Sequence, residues 1–235
     1  MRISTGVEEL DKMLHGGLIP GRAYLVKGGP GSGKTTLTIH FLIEGAKKGE
    51  KVLYVSLEEP VDILKEDMKK LGFNIDVPNF VAIDATPVKQ KRSIFEAEHF
   101  EEFAKDFKRL VDAIVNRLKG EKYTRIVIDP ITMLRLTIRD ELEYRRMFIG
   151  FLKEVARYDA TLVLTSEFYN TDIEDYLVSG VIELREVEEG GKTLRGIKIV
   201  KFRGSAFDES LRPYKITDEG IKVYHKESIF RGSDE

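Results

Sequence analysis

The nine residues from Gly28 to Thr36, "GGPGSGKTT", place Gly28, Gly33, Lys34 and Thr35 in the spacing G-x-x-x-x-G-K-[ST]. The run "AYLVKG" before them is apolar and β-rich, and "TLTIHFLIEGAKKG" after them is an apolar helical stretch. A strand, a tight loop and a helix in that order are the first half of a βαβ unit, which commits the chain to an α/β fold with a parallel sheet. The glycines let successive N–H groups turn inward and the helix start adds the positive end of its dipole, so the loop suits a polyphosphate. In this pattern Lys34 reaches the β- and γ-phosphates and Thr35 offers its hydroxyl to Mg2+, while Gly29, Pro30, Gly31, Ser32 and Thr36 complete the cradle.

Further β-rich runs, "KVLYVSL", "FVAID", "RIVID" and "TLVLTS", alternate with amphipathic helical stretches, as parallel strands with crossovers do. One helix is expected to open at Ser93 with Glu96 as its capping box and to bury Phe100, Phe103, Phe107, Leu110, Ile114 and Leu118. After Val181 the pattern changes: "VIELREV" and "LRGIKIVKF" across "EEGG", and then "YKITDEGIKVY", read as two antiparallel hairpins. No Pro-, Gly- or Ser-rich linker divides the 235 residues, so one domain over 1–235 is expected, with a basic loop at 86–93. A net charge of −2 with signs interspersed argues against a bulk electrostatic nucleic-acid binder. The absence of cysteine excludes disulfides, thiolate metal sites and cysteine nucleophiles. With no apolar leader at "MRISTGVEEL" and no apolar run of membrane-spanning length, a cytoplasmic protein without membrane contact is expected.

Three strand ends bear on chemistry. "RIVIDP" ends a buried strand in Asp129, where a carboxylate can hold magnesium beside a phosphate loop. "VSLEEP" ends another in Glu58 and Glu59. An acid there can orient or deprotonate water, and acidic residues around Pro60 suit a helix start equally well. Thr165 and Ser166 end "TLVLTS", where a hydroxyl can sense a γ-phosphate or cap a turn. In "IKIVKFRG", strict alternation puts Lys201 and Arg203 on the face of Ile197 and Ile199, so an apolar face turns cationic and should meet an anion.

The ordered set "ISTGVEELDKMLHGGLIPGR", "GGPGSGKTT", "VSLEEP", "RIVIDP", "TLVLTSE" and "KFRG" resembles the RecA superfamily of P-loop ATPases, and within it the KaiC-like proteins, over nearly the whole chain. The arrangement of Thr5, Gly6, Leu10, Asp11 and Gly16-Gly17 before the phosphate loop is a recurrent opening of that group. The resemblance implies a RecA-like core, bound ATP or ADP with Mg2+, ATP hydrolysis, and a homo-oligomer, a hexameric ring being the expected form. It further implies that Glu58 and Glu59 activate water, with Glu58 the favoured base. Lys201 and Arg203 would complete a neighbouring subunit's ATP site as lysine and arginine fingers, and Phe207 would stack on a base or pack in the core. The chain lacks the tandem duplication of KaiC itself, so circadian timing does not carry over.

The favoured function is an ATPase that acts as a regulatory or assembly switch toward an unidentified protein partner. A single-stranded-DNA-binding recombinase paralogue is the less favoured alternative. "TMLRLTIRDE" supplies Arg135 and Arg139, but "SEFYNTDIEDYLVSG" brings Glu167, Asp172, Glu174 and Asp175, and its Phe168, Tyr169 and Tyr176 are explicable as packing. A slow or non-hydrolysing ATP-binding structural component is the third.

Overall fold

A computed structural model describes residues 2–86, 100–138, 140–167, 172–189 and 191–229, and of residues 100–107, 137, 172 and 189 the backbone alone. The Ser93/Glu96 capping box, the loop 87–93, the side chains of Phe100, Phe103 and Phe107, and Arg139, Phe168 and Tyr169 lie outside that description.

The five apolar runs form β1 (Ala23–Gly28), β2 (Val52–Ser56), β3 (Phe80–Asp84), β4 (Arg125–Asp129) and β5 (Thr161–Ser166). They pair in parallel in the order β3-β2-β4-β5-β1, and β1, β2, β4 and β5 are almost wholly buried, as strands covered on both faces must be. The hairpins continue the sheet as β6 (Gly180–Glu189), β7 (Lys192–Phe202), β8 (Arg212–Thr217) and β9 (Gly220–Val223), with β6 parallel to β1 and the rest antiparallel. The α/β fold is therefore RecA-like in outline, a largely parallel sheet with antiparallel strands at its C-terminal end.

Side chains alternate between two cores. Tyr24 and Val26 face a cluster with α1 (Glu8–Met13), α2 (Lys34–Lys47) and α3 (Val61–Lys70), and Leu25 faces one with α4 (Phe100–Gly120), α5 (Thr132–Thr137), α6 (Glu141–Ala156) and α7 (Asp172–Leu177). On α4, Ile114 and Leu118 are buried as their spacing requires. The opening segment has a physical reason for its pattern: the Asp11 carboxylate accepts from the Thr5 N–H and hydroxyl, each at 2.7 Å, and from Ser4 Oγ at 2.6 Å. It thereby closes the loop that leads into α1.

The expected facing of β7 is corrected. Val181 pairs with Lys201 but Ile182 pairs with Ile199, so Val200 is the extra residue of a β-bulge. One inserted residue inverts the alternation beyond it. Phe202 thus joins Ile197 and Ile199 in the α1/α2 core, and Lys201 turns to the α7 side, with Val200 exposed.

Candidate active site

Because β5 lies between β1 and β4, the loop after β1 and the end of β4 stand two strand spacings apart, roughly 10 Å, which leaves a cleft at the C-terminal ends of the strands. This cleft has a volume of about 360 Å³, and Pro30, Gly31, Gly33, Lys34, Thr35 and Thr36 form one wall. Gly33 turns the loop into α2 with φ of 88°, a left-handed conformation that only glycine takes without strain. Behind the loop, Tyr214 of β8 donates to the Ser32 carbonyl at 2.6 Å, while Ser32 Oγ is buried with no hydrogen-bond partner among the described residues. Lys34 is buried and its ammonium donates to the carbonyls of Gly28 (2.9 Å) and Gly29 (3.0 Å). Burial lowers its pKa, and Glu167, Asp129 and Glu58 pull the other way.

Four carboxylates form the facing wall: Glu58, Glu59, Asp129 and Glu167. Asp129 is buried, accepts from Tyr54 at 2.8 Å through Oδ2, and accepts the Thr165 hydroxyl through Oδ1. Burial, reinforced by Asp129, pushes the Tyr54 phenol well above its ordinary pKa, so Tyr54 remains a donor. Glu58 and Glu59 both have raised pKa values, chiefly through desolvation, with further pressure on Glu58 from Glu167 and Asp129, and on Glu59 from Asp67, Asp129 and Glu58. Four acids against one ammonium would repel a triphosphate unless a cation stood between them, so the donor set fits a divalent ion shared by the Thr35 hydroxyl, Asp129 and phosphate oxygens. Among the described residues no three His, Asp or Glu side chains converge as a metal cage.

Glu167 is the acid that the sequence reading left out of the cleft. Its position as the first residue after β5 was the available signal, since the other acids also follow strand ends. Its backbone N–H donates to Thr132 Oγ1 at 3.1 Å, and Thr132 Oγ1 lies 3.3 Å from Ser166 Oγ. The Thr165 and Ser166 hydroxyls thus serve Asp129 and Thr132, and neither lines the cleft.

Lys201, Arg203 and Phe207 are elsewhere. Lys201 pairs with Val181 and Val181 with Leu25, three residues before Gly28, which separates the Lys201 and Gly28 backbones by roughly 14 Å. The Lys201 ammonium donates to the carbonyls of Asp175, Tyr176 (3.2 Å) and Val178 (2.7 Å), and Arg203 Nη2 donates to the Tyr176 carbonyl at 2.7 Å. Burial lowers the Lys201 pKa, helped by Arg203 and opposed by Asp175. Phe207 is half-buried and meets Phe202 edge-on, with ring centroids 6.5 Å apart.

A family model described as "ATPase: KaiC" matches residues 3–228. The chain belongs to the KaiC family of ATPases. Its similarity to a UPF0273 protein of Thermotoga maritima is 27% identity over 234 residues, covering 96% of this chain and 97% of that one. A UPF0273 protein of Pyrococcus horikoshii is 27% identical over 242 residues, with 98% and 97% covered. The circadian clock protein KaiC3 of Synechocystis is 27% identical over 234 residues, and there the match takes 94% of this chain but 45% of the relative. This KaiC-family chain is accordingly a RecA-like P-loop NTPase.

In this KaiC-family chain three of the charges that bear on DNA, those of Arg135, Glu174 and Asp175, are paired internally. Arg135 bonds Glu174 at 3.0 Å and lies over the Tyr144 ring, Glu174 is buried and accepts from Tyr144 at 2.7 Å, and Asp175 pairs with Lys27 at 2.6 Å. Tyr176, expected to pack, is instead 67% exposed. No described helix is long and apolar enough to cross a membrane.

Proposed function

We propose that the chain, as one domain over 1–235, hydrolyses ATP in sites completed between copies of itself. The Gly28–Thr36 loop cradles the phosphates, Lys34 neutralises the β- and γ-oxygens, and Thr35 with Asp129 holds Mg2+. When bound, Mg2+ supplies charge neutralisation and orients the phosphates. Glu58 and Glu59 activate the attacking water, with Glu58 the favoured acceptor of its proton. Lys201 and Arg203 act on the ATP of the adjacent chain, where a guanidinium stabilises charge that develops in the transition state.

The observation that carries this reading is the distance between two halves of one chemistry. Acids and loop share a cleft, while the cations of "KFRG" lie roughly 14 Å of backbone away on the carbonyls of α7. A ring, expected as a hexamer, brings one chain's cations to the next chain's cleft. In such an assembly nucleotide state reads out as assembly state, available to a protein partner. Internal pairing of Arg135 leaves the nucleic-acid reading without an argument from that residue.

Subunit mixing tests the proposal. Arg203→Ala chains and Glu58→Ala chains are each expected to be inactive alone and to regain turnover when mixed without nucleotide and then given ATP. In verified mixed assemblies, a complete absence of recovery would overturn the trans assignment.

A further inference from the structure

Four cations gather around the turn that ends β7, and none of them forms an ion pair with a described residue. Arg2 donates to the Gly17 carbonyl at 3.3 Å and to Ser205 Oγ at 2.6 Å, with its guanidinium over the Phe202 ring. Arg22 donates to the Arg203 carbonyl at 2.8 Å, Arg203 to the Tyr176 carbonyl at 2.7 Å, and Lys201 to the carbonyls of Asp175, Tyr176 and Val178. Every one of these acceptors is neutral. Elsewhere Arg125, Arg135 and Arg212 rest on carboxylates, at 2.7, 3.0 and 2.8 Å. Like charges held together by neutral acceptors repel one another, so this end of the chain favours the arrival of negative charge from outside it.

The same surface carries apolar side chains. Tyr176, whose carbonyl holds both Lys201 and Arg203, is 67% exposed, and Val200, the bulge residue before Lys201, is 42% exposed. A single exposed apolar residue needs no explanation. A tyrosine set among arginines is different, because these two residue types dominate the centres of protein–protein contacts.

The chain also carries the complement. Its cleft sets Glu58, Glu59, Asp129 and Glu167 against the Lys34 ammonium, and Ile63, 49% exposed on the first turn of α3, gives the cleft mouth an apolar residue of its own. Two complementary faces that the sheet holds apart on one molecule can meet between copies, head to tail, and repetition of that contact closes a ring or runs on as a filament.

We propose that this end of β7 is a docking surface for a second copy of the chain, with Tyr176 at its centre, Arg2 and Arg22 beside the fingers, and the next copy's acidic cleft mouth as its counterpart. The inference rests on the trans reading above for the direction of docking. It adds Tyr176, Arg2 and Arg22, which hold the copies together and touch no reacting atom.

Assembly, not turnover, is therefore the readout. In sedimentation with Mg2+ and a non-hydrolysable ATP analogue, Tyr176→Ser should raise the concentration of half-assembly about tenfold or more, the scale of an interface hot spot. Arg22→Gln should act alike, with an effect that shrinks as salt rises because it works through charge. Tyr176 is so exposed that Tyr176→Ser should leave the melting temperature of the unassembled chain in place. Because the chain has no cysteine, Tyr176→Cys supplies a single thiol. At concentrations where that variant assembles, maleimide should label it about tenfold or more slowly than in the free chain, since the centre of a contact excludes solvent.

A thiol labelled equally fast in both states, with assembly verified by mass, overturns the inference. So does a Tyr176→Ser chain that assembles like the parent, or a Tyr176→Cys chain that oxidises to a disulfide-linked pair with itself, which would make the contact face to face. Protection of the thiol by a single-stranded oligonucleotide at physiological salt, in chains that do not assemble, would overturn it in favour of a nucleic-acid face. Subunit mixing keeps the two readings apart. Recovery of turnover with an unprotected thiol removes the docking surface alone, a protected thiol without recovery removes the trans chemistry alone, and a parent chain that stays monomeric with the analogue removes both.

Discussion

At the C-terminal ends of β1, β2 and β4 one buried ammonium, Lys34, faces four carboxylates, whereas at the far end of β7 two cations, Lys201 and Arg203, rest on the carbonyls of α7. The cleft is short of positive charge, and its Glu58 and Glu59 already resist ionisation. The other end has cations to spare, and Arg203 is exposed there. Among the described residues neither imbalance is relieved by the other, because the sheet holds the two ends apart. On the trans reading proposed above, the elements of one phosphoryl-transfer site are carried by a single chain and would meet only where two chains adjoin.

The largest expected effects separate the two ends. Lys34→Ala should abolish ATP binding in calorimetry, because it removes the cleft's cation and leaves four acids against the phosphates. Arg203→Ala should leave ATP affinity nearly unchanged and reduce turnover by about 10³-fold or more, the scale of arginine fingers elsewhere. An Arg203→Ala chain that loses affinity and turnover together would break the comparison, since Arg203 would then act within its own cleft.

A smaller effect probes the cleft alone. Tyr54→Phe removes the 2.8 Å hydrogen bond to Asp129 and leaves the carboxylate to Thr165. Residues that orient a metal-binding carboxylate are worth about 10- to 100-fold in metal affinity. Titration of ATPase rate against Mg2+ should therefore show a higher half-saturating concentration, with the maximum rate largely restored at saturation. An unchanged titration would mean that Asp129 needs no such support.

How much of this could be read in the sequence depended on whether a feature was local. The strand–loop–helix around Gly28–Thr36, the five parallel strands and both C-terminal hairpins were legible, since each is a continuous run with its own period and turn residues. Glu58, Glu59 and Asp129 could be placed at the cleft for the same reason, because parallel strands put their C-terminal ends on one edge. The facing of Lys201 and Arg203 was not legible. A bulge at Val200 is a matter of registry between β6 and β7, and nothing in "IKIVKF" alone distinguishes it from plain alternation. Pairing across the fold was likewise invisible: Glu174 and Asp175 looked like exposed acids, and their partners Arg135, Tyr144 and Lys27 lie 30 to 148 residues away.

Mild acid should move the cleft in two directions at once. A carboxyl whose folded-state pKa is raised binds its proton more tightly folded than unfolded, so the contributions of Glu58 and Glu59 to stability grow as pH falls from the raised value toward the ordinary one, and shrink as pH rises. The same protonation removes the base, so turnover should fall over that window. Glu58→Gln should flatten this acid limb of the stability profile relative to the parent chain. A limb unchanged in Glu58→Gln would assign it to another group.

The smallest expected effect concerns the bulge itself. Val200 is 42% exposed and is the residue of β7 without a partner on β6, so its side chain contributes little while its backbone decides which way Lys201 and Arg203 point. Val200→Thr keeps the branched shape that strands favour and should change unfolding free energy by less than about 0.5 kcal/mol, with turnover unaltered. Deleting Val200 is the sharper counterpart. It removes the unpaired residue, so that Lys201 would directly follow Ile199 and stay on the α7 side while Phe202 stays with Ile197 and Ile199 in the α1/α2 core. Such a chain should keep the facing of Phe202 and of both cations, and a loss of turnover in the deletion with Val200→Thr unaffected would assign the site's need to the local twist of the bulge rather than to the facing. If the threonine variant failed in turnover while remaining folded, the side chain and not the registry would be what this strand contributes to the neighbouring site.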